Sequence, residues 1–263
     1  MDLPDGLAAF TESIAKRKLD LYPLLNEVSY WVHPKTFQYM PIWYPEFARK
    51  VPLYQVNWTT RQLNNGREKF EGNVHGRFSL LAALGQPDGA DVKWTCCHIW
   101  GLNGIEDNPV VKDHRFYSCV GNMLFLPTPF KALSDSVPAV KALLRVMAYN
   151  LYGWMCDHGA VREESVKLLA GTFPEGYLDH WPRPGNASPS PQNVAPFDES
   201  IQSAADIRIL ELRNSFRDSS KQMFPREKVG QAMDYWSSKI VTGPAFQAAA
   251  SEFQERLQRL KAG

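Results

Sequence analysis

The chain has 263 residues, of which 44% are hydrophobic and 22% charged, so disorder is excluded as an account of the whole chain. Its 29 basic and 28 acidic side chains give almost no net charge, so a nucleic-acid partner has to be argued from local patches. No stretch approaches the roughly 18 consecutive apolar residues of a membrane span. The N-terminus, MDLPDGLAAFTESIAKRK, has its acidic residues first and its basic cluster last, the reverse of a signal peptide. We therefore expect a cytoplasmic protein with no membrane partner.

The first third of the chain has two predicted helices separated by an irregular region. Residues 5–18 carry apolar side chains at helical spacing and end in a basic cluster. Prolines and aromatic residues between 19 and 58 exclude long regular elements. The stretch GREKFEGNVHGRFSLLAALG, residues 66–85, predicts a second helix with Gly85 just after its end.

Two strands and a helix are predicted next. WTCCHIW, residues 94–100, is too short for a helix and rich in strand-forming residues, and FYSCVGNMLFLP, residues 116–127, predicts a second strand. A helix follows, with Ser134, Asp135 or Ser136 as its cap and Pro138 in its first turn.

The rest of the chain divides at a proline-rich segment. Residues 182–197 contain five prolines, the composition of a linker, and three amphipathic helices are predicted after it. We therefore expect an α+β protein that is mainly α-helical around a central hairpin–helix module. Its predicted divisions are a helical and aromatic-basic region at 1–91, the module and its following helix at 92–184, a linker at 185–197 and a helical region at 198–263.

His98 lies at the end of the first predicted strand, and Asn122 follows 24 residues later, shortly before a helix. With CCHIWG and FYSCVGNMLFLP around them, the two residues resemble the HNH, or ββα-metal, nuclease superfamily, in which a hairpin carries a histidine and an asparagine in front of a helix. The resemblance covers about residues 92–154. It implies a ββα-metal module and a Mg²⁺-dependent endonuclease, with Mn²⁺ as a substitute, that hydrolyses DNA.

The chemistry of phosphodiester hydrolysis agrees with this assignment. A neutral imidazole is the side chain best suited to take a proton from water at neutral pH, so His98 is predicted to be the general base. An amide oxygen is an acceptable ligand for Mg²⁺, so Asn122 is predicted to hold the metal beside His98. Arg115, in the segment between the strands, is a candidate brace for the scissile phosphate, or else an exposed loop residue.

The sequence departs from the family pattern beside the histidine. Many HNH enzymes have an aspartate or another ligand there, whereas this chain has Cys97, whose sulfur suits Zn²⁺ or Cu⁺ better than Mg²⁺. Asp135 is the nearest carboxylate after Asn122, and we interpret it as a helix cap rather than a third ligand. The alternative for His98 itself is a hydrogen-bonded core residue.

Other polar groups suggest further hypotheses. A basic patch lies between residues 49 and 77, and contacts with phosphates are predicted for four of its members, with an ordinary solvated face as the alternative. These members are Arg67, Lys69, His75 and Arg77. The cysteines show no CxxC pair, so we expect reduced thiols. A zinc site formed by Cys119, Cys156 and His158 with His98 is a weaker hypothesis.

The leading hypothesis is therefore a metal-dependent DNA endonuclease, in which appended recognition regions fit a restriction or phage-defence enzyme. A homodimer follows if the enzyme makes double-strand breaks. The alternative from another class is a non-catalytic nucleic-acid-binding or assembly protein on a degenerate HNH scaffold, and a third is a zinc hydrolase.

Overall fold

The N-terminal part consists of short helices that proline and capping side chains delimit. A computed structural model describes residues 5–17, 19–47, 60–62, 68–70, 74–89, 93–102, 108–186, 191–217 and 226–262. Helix α1 (Gly6–Lys16) agrees with the prediction, and α2 (Leu21–Val28), strand β1 (Tyr30–Trp31) and α3 (Pro34–Tyr39) follow it. Pro34 occupies the first turn of α3, where a missing N–H costs nothing. Long regular elements are indeed absent from 19–47.

The helix predicted at 66–85 is shorter in the structure. Strand β2 (Thr60–Gln62) pairs antiparallel with β3 (Glu68–Phe70), and helix α4 (Val74–Ala83) begins only after them. The apolar residues of this stretch fit either a strand or the first turn of a helix. The sequence therefore did not show that a strand precedes the helix. Gly85 has a φ of 66°, the left-handed conformation predicted for a residue that ends a helix.

A four-stranded mixed sheet lies at the centre of the molecule. Strand β4 (Trp94–His98) pairs antiparallel with β5 (Met123–Pro127), and β5 pairs antiparallel with β1. Strand β6 (Asn193–Val194) pairs parallel with β1 and completes the order β4-β5-β1-β6. The proline-rich segment thus contributes an edge strand to the sheet, whereas the sequence predicted only a linker there.

The second strand of the hairpin begins later than predicted. Residues 116–118 form turns, Cys119 forms an isolated β-bridge with Ile42, 120–122 form one 3₁₀ turn, and the strand starts at Met123. A four-residue helix, α5 (Pro109–Lys112), lies in the same inter-strand segment and is capped by the Asn108 side chain. The hairpin therefore carries a long folded insertion between its strands.

Three helices follow the hairpin. They are α6 (Lys131–Ser136), α7 (Pro138–Tyr152) and α8 (Arg162–Leu169). Asp135 does not cap a helix, contrary to the prediction, because it lies inside α6 and forms an ion pair with Lys131 one turn away. Helix α7 has no side-chain cap and begins with Pro138. Nearly all of its first eleven side chains are buried, as expected for a helix within the core.

The two faces of the hairpin are covered by different helices. A Cβ atom placed on Gly76 of α4 would lie 3.3 Å from Met123 Sδ and 3.5 Å from His98 Cε1, so these paired residues face α4. Side chains alternate along a strand, so Cys97 points to the other face. That face is covered by α6, which contacts β4, and the Cys97 thiol donates to the backbone carbonyl of Thr95 at 3.5 Å.

Three C-terminal helices are formed as predicted: α9 (Glu199–Arg217), α10 (Arg226–Lys239) and α11 (Pro244–Ala262). A four-residue connection joins α10 and α11, which makes them antiparallel neighbours. The Phe216 and Phe253 rings stack with their centroids 4.0 Å apart, so the end of α9 packs on the middle of α11.

One buried core joins all these parts. It includes Trp31, Leu124, Leu143, Trp236 and Phe253, which come from the N-terminal region, the hairpin, α7, α10 and α11. The four segments predicted from the sequence therefore share a core, and their boundaries remain a prediction. Within the described ranges, no helix is both long enough and apolar enough to cross a bilayer.

Candidate functional site

His98, the last residue of β4, is partly exposed and held in one orientation. Its Nε2 atom lies 2.8 Å from the backbone carbonyl oxygen of Tyr117, and its ring stacks on the Tyr117 ring with centroids 5.8 Å apart. A carbonyl oxygen can only accept, so Nε2 carries the hydrogen and donates it. In the neutral ring, Nδ1 is then the nitrogen with the lone pair. Both the tautomer and the plane of the imidazole are therefore fixed by the backbone.

Asn122 lies in the core and connects the two ends of the inter-strand segment through hydrogen bonds. The residue is 0% exposed, its Oδ1 accepts a hydrogen bond from the backbone N–H of Trp100 (2.8 Å), and its Nδ2 donates to the backbone carbonyl of Phe116 (3.0 Å). Its own carbonyl accepts from the N–H of Ile99 at 2.8 Å. The side chain thus links the residues that follow β4 to the turn that presents the Tyr117 carbonyl to His98.

The sequence prediction for this pair needs one correction. His98 and Asn122 do meet at the same end of the hairpin, but the carboxamide of Asn122 faces the interior and is used by two backbone groups. A fully buried oxygen that already accepts a backbone hydrogen bond does not reach a hydrated cation, so the predicted role of Asn122 as Mg²⁺ ligand does not fit this geometry. Its contacts define a positioning role instead.

Gly121 explains how Asn122 reaches this position. A Cβ atom on Gly121 would lie 2.7 Å from Cε2 of Phe37, a ring that is 1% exposed. Only glycine allows the chain to pass so close to this ring. No local sequence pattern predicts this contact, because Phe37 lies 84 positions earlier in the chain.

A buried arginine supports the turn after His98 from the other side. Arg145 of α7 donates from Nη2 to the carbonyl of Gly101 (2.9 Å) and from Nε to that of Ile99 (3.3 Å), lies over the Trp100 ring and pairs with Glu164. Lys141, one turn earlier on α7, is 3% exposed. Burial lowers the pKa of Lys141 to about 8, with Arg145 adding to the effect. Lys141 and Arg145 are cations within an apolar helical pattern, and this pattern is the feature of the sequence that could have identified them.

The four cysteines are buried and free. Burial raises the pKa of Cys97 to about 11 and of Cys156 to about 12, and raises that of Cys119 well above its usual value. Neutral thiols of this kind are poor ligands and poor nucleophiles. Within the described part of the chain, no three His, Cys, Asp or Glu side chains are grouped to bind a metal ion. The zinc hypothesis therefore gains no support from these residues.

Arg115 is held in the inter-strand segment by its own neighbours. Its guanidinium contacts Asp113 through Nε (3.1 Å) and Nη2 (2.6 Å) and lies over the rings of Phe116 and Tyr235. Burial alone would raise the pKa of Asp113, but hydrogen bonds from Arg115 outweigh it and the pKa is lowered. His158 Nε2 lies 3.9 Å from the same carboxylate. Arg115 faces α10, and its predicted contact with a scissile phosphate remains a prediction.

The predicted N-terminal phosphate contacts fall partly outside the described residues. Arg67 lies outside them, and Lys69 is described only through its backbone in β3. His75 stacks on Phe47 with centroids 3.5 Å apart, and burial, with Arg208 nearby, lowers its pKa to about 4. A neutral imidazole covered by a ring is unsuited to bind phosphate. Arg77 is ion-paired with Asp88 at 3.0 Å.

Comparison with protein-family models, curated proteins and solved structures finds no match to this chain. The case for a function therefore rests on the geometry around His98.

Proposed function

We propose that the chain is an HNH-type phosphodiester hydrolase acting on DNA, with His98 as its general base. The observation that carries this proposal is the hydrogen bond from His98 Nε2 to the Tyr117 carbonyl, which makes Nδ1 the basic nitrogen of a partly exposed ring. The partial exposure of the ring distinguishes His98 from a histidine that is sealed inside a core.

In the proposed reaction, Nδ1 of His98 takes a proton from a water molecule while the water oxygen forms a bond to phosphorus. The phosphorus–oxygen bond to the leaving group breaks, and that oxygen is protonated from solvent. The Tyr117 carbonyl stabilises the imidazolium that forms, because the Nε2–H bond to a carbonyl strengthens when the ring is charged. Asn122 and Arg145 act through the backbone, since they hold the two segments that position the ring.

The resemblance also implies Mg²⁺, which stays a predicted cofactor. Asn122 does not supply its ligand in this geometry, so no step is assigned to a cation here. The metal requirement is tested directly by comparing cleavage in EDTA with cleavage in Mg²⁺ or Mn²⁺.

The test is nicking of supercoiled plasmid by the purified full-length chain with Mg²⁺ or Mn²⁺. His98→Gln retains an N–H that can donate to the Tyr117 carbonyl but has no basic nitrogen, so we expect a loss of at least about a hundredfold in rate. His180→Ala is the matched control, because His180 is an exposed histidine paired with Asp20 outside the hairpin. Nicking that survives in folded His98→Gln would contradict the assignment of the base.

A second candidate is a non-catalytic nucleic-acid-binding or assembly protein on the same scaffold. The burial of the Asn122 carboxamide favours this second candidate. A buried carboxamide that bonds the backbone supports the hairpin but does not bind a catalytic metal ion. Absence of nicking by the wild type under every metal condition, together with retained DNA binding, would select this candidate. A homodimer and a role in restriction or phage defence belong to the first proposal, and conversion of plasmid directly to linear DNA, without a nicked intermediate, is the result expected for two active sites.

A further inference from the structure

Two groups of charged side chains follow each other along α11, one at its middle and one at its end. The Lys261 ammonium lies 3.6 Å from a Glu227 carboxylate oxygen, which places the end of α11 beside the start of α10. The guanidinium groups of Arg213 and Arg217 bind Glu252, which places the last turns of α9 on the middle of α11. We call this surface the basic end, defined by residues 213–217, 226–228 and 252–262.

The basic end differs in charge from the opposite end of the same helices. It contains seven cations, Arg213, Arg217, Arg226, Lys228, Arg256, Arg259 and Lys261, against three carboxylates, Glu227, Glu252 and Glu255. The opposite end, residues 199–206, 233–239 and 244–251, contains Glu199, Asp206 and Asp234 against Lys239 alone. A chain with almost no net charge therefore concentrates positive charge on one surface.

Three arginines at the centre of the basic end share a single carboxylate. Glu252 accepts hydrogen bonds from Arg213 (Nε, 2.9 Å) and Arg217 (Nε, 2.7 Å) and forms an ion pair with Arg256 (Nε, 3.2 Å). The arginine side chains are 35%, 43% and 40% exposed, whereas Glu252 is 19% exposed. The carboxylate thus fixes three guanidinium groups from beneath and neutralises one charge of three. Planar guanidinium groups held in place and facing solvent are well suited to phosphate oxygens.

Helix stability does not explain the whole surface. Cations in the last turns of α9 and α11 compensate the helix dipole, but Lys228 lies in the first turn of α10, where a positive charge is unfavourable. A cation that costs helix stability and stays exposed is better explained by an external anion.

The basic end is connected to the hairpin along α10. A cavity of about 610 Å³ lies between α10 and the inter-strand segment, and its lining includes Lys228, Lys112 and Arg115. Trp236 of α10 donates from Nε1 to the backbone carbonyl of Arg115 at 2.7 Å, two residues before the carbonyl that holds His98. Asp113 and Asp234 also line this cavity, and Arg115 is paired with Asp113, so the cavity connects the basic end to the inter-strand segment through side chains of both charges.

We infer that the basic end binds the phosphate backbone of nucleic acid, and that Arg213, Arg217 and Arg256 contact successive phosphates. This inference rests on the proposed function for its choice of partner. It assigns the anchoring of DNA to the C-terminal helices, where Glu252 competes with phosphate for the three arginines.

The experiment measures binding of a labelled DNA duplex by fluorescence anisotropy, in EDTA to prevent cleavage, over a range of salt concentrations. Arg213→Gln/Arg217→Gln is expected to weaken binding at least about tenfold and to lower the slope of log affinity against log salt by about 2. Glu252→Gln removes the opposing charge and is expected to tighten binding. Lys239→Gln, at the opposite end, is the matched control and is expected to leave the affinity unchanged.

The opposite effects of the arginine and glutamate changes separate phosphate binding from a purely structural ion network. Weaker binding by Glu252→Gln, or unchanged binding by the arginine pair, would overturn the inference. If the glutamine pair does not fold, Arg213→Lys/Arg217→Lys keeps the charge, and a loss of more than about tenfold in that folded variant counts against backbone recognition by charge. Competition by polyglutamate as effective as that by DNA would also overturn the inference.

Failure of this inference is distinguishable from failure of the proposed function. If the wild type nicks plasmid but Arg213→Gln/Arg217→Gln binds DNA as tightly as the wild type, the inference fails and the proposed function stands. If DNA binding depends on these arginines but the wild type does not nick plasmid, the proposed hydrolase function fails and the inference stands.

Discussion

The hairpin and the basic end of the C-terminal helices both depend on polar groups, but in opposite surroundings. Asn122 is fully buried and bonds two backbone groups, whereas Glu252 is partly exposed and bonds three side chains that meet solvent. Buried polar groups must be satisfied, and they fix one geometry. Exposed ion pairs contribute little to stability and remain available to other ions. The first arrangement suits the positioning of a base, and the second suits the binding of a charged polymer.

The largest difference is expected from removing the buried amide. Asn122→Ala leaves the Trp100 N–H without a partner in the core and removes one of the two donors to the Phe116 carbonyl, and we expect a loss of about 3 kcal/mol in the free energy of unfolding. Asn150→Ala is the control, because Asn150 also bonds two backbone groups, Arg183 O and Gly185 N, but lies partly exposed. Its expected cost is about 1 kcal/mol. Urea denaturation measures both, and equal losses would break the comparison.

A pH-dependent effect is expected from the buried lysine beneath the hairpin. Lys141, whose surroundings include Arg145, Lys131, Asp135 and the Cys97 thiol, has a folded-state pKa of about 8 against 10.5 for the ordinary side chain. The unfolded chain therefore binds more protons between these values, and Lys141 adds stability as the pH rises through this window.

Lys141→Met removes this dependence. At pH 7 we expect the variant to be more stable than the wild type by on the order of 3 kcal/mol, because the methionine carries no charge to bury. The advantage should disappear by about pH 10.5. Comparing denaturation of the two proteins at each pH cancels the thiols, which titrate in both. An advantage that stays constant from pH 7 to pH 10 would show that the ammonium is not desolvated.

The smallest effect on stability is expected at the basic end. Glu252→Gln should lower the free energy of unfolding by less than about 1 kcal/mol, and the difference should shrink further in high salt. Thermal denaturation at low and high salt measures it, with Glu255→Gln, which affects one exposed pair with Arg259, as the control. A salt-independent loss as large as that of Asn122→Ala would remove the contrast between the two regions.

The sequence predicted the elements whose signal is local. The three C-terminal helices, the start of the first strand and the position of His98 at its end follow from spacing and composition alone. The strand at 68–70 and the edge strand at 193–194 were missed, because a few residues become a strand only through pairing with a distant one. Asp135 was predicted to cap α7 because it precedes Pro138. In the structure it lies inside α6, where its carboxylate forms an ion pair with Lys131.

The site was predictable in part for the same reason. His98 and Asn122 were predicted to lie at the same end of the hairpin, and they do. The partners of Asn122 are backbone groups of residues 100 and 116, and no pattern of side chains predicts these hydrogen bonds. Arg145 and Lys141 were visible as cations in an apolar helix. Their role depends on which strand the helix covers, and this is set by tertiary packing.

The indoles of Trp154 and Trp236 lie 5.0 Å apart at an angle of 56° and come from opposite sides of the contact between the hairpin region and α10. Electronic transitions of two rings so close and so tilted couple, which produces a paired circular-dichroism band that neither ring gives alone. The molecule thus carries a built-in optical gauge of whether its C-terminal helices remain seated, and this gauge is readable without any attached label while DNA is added.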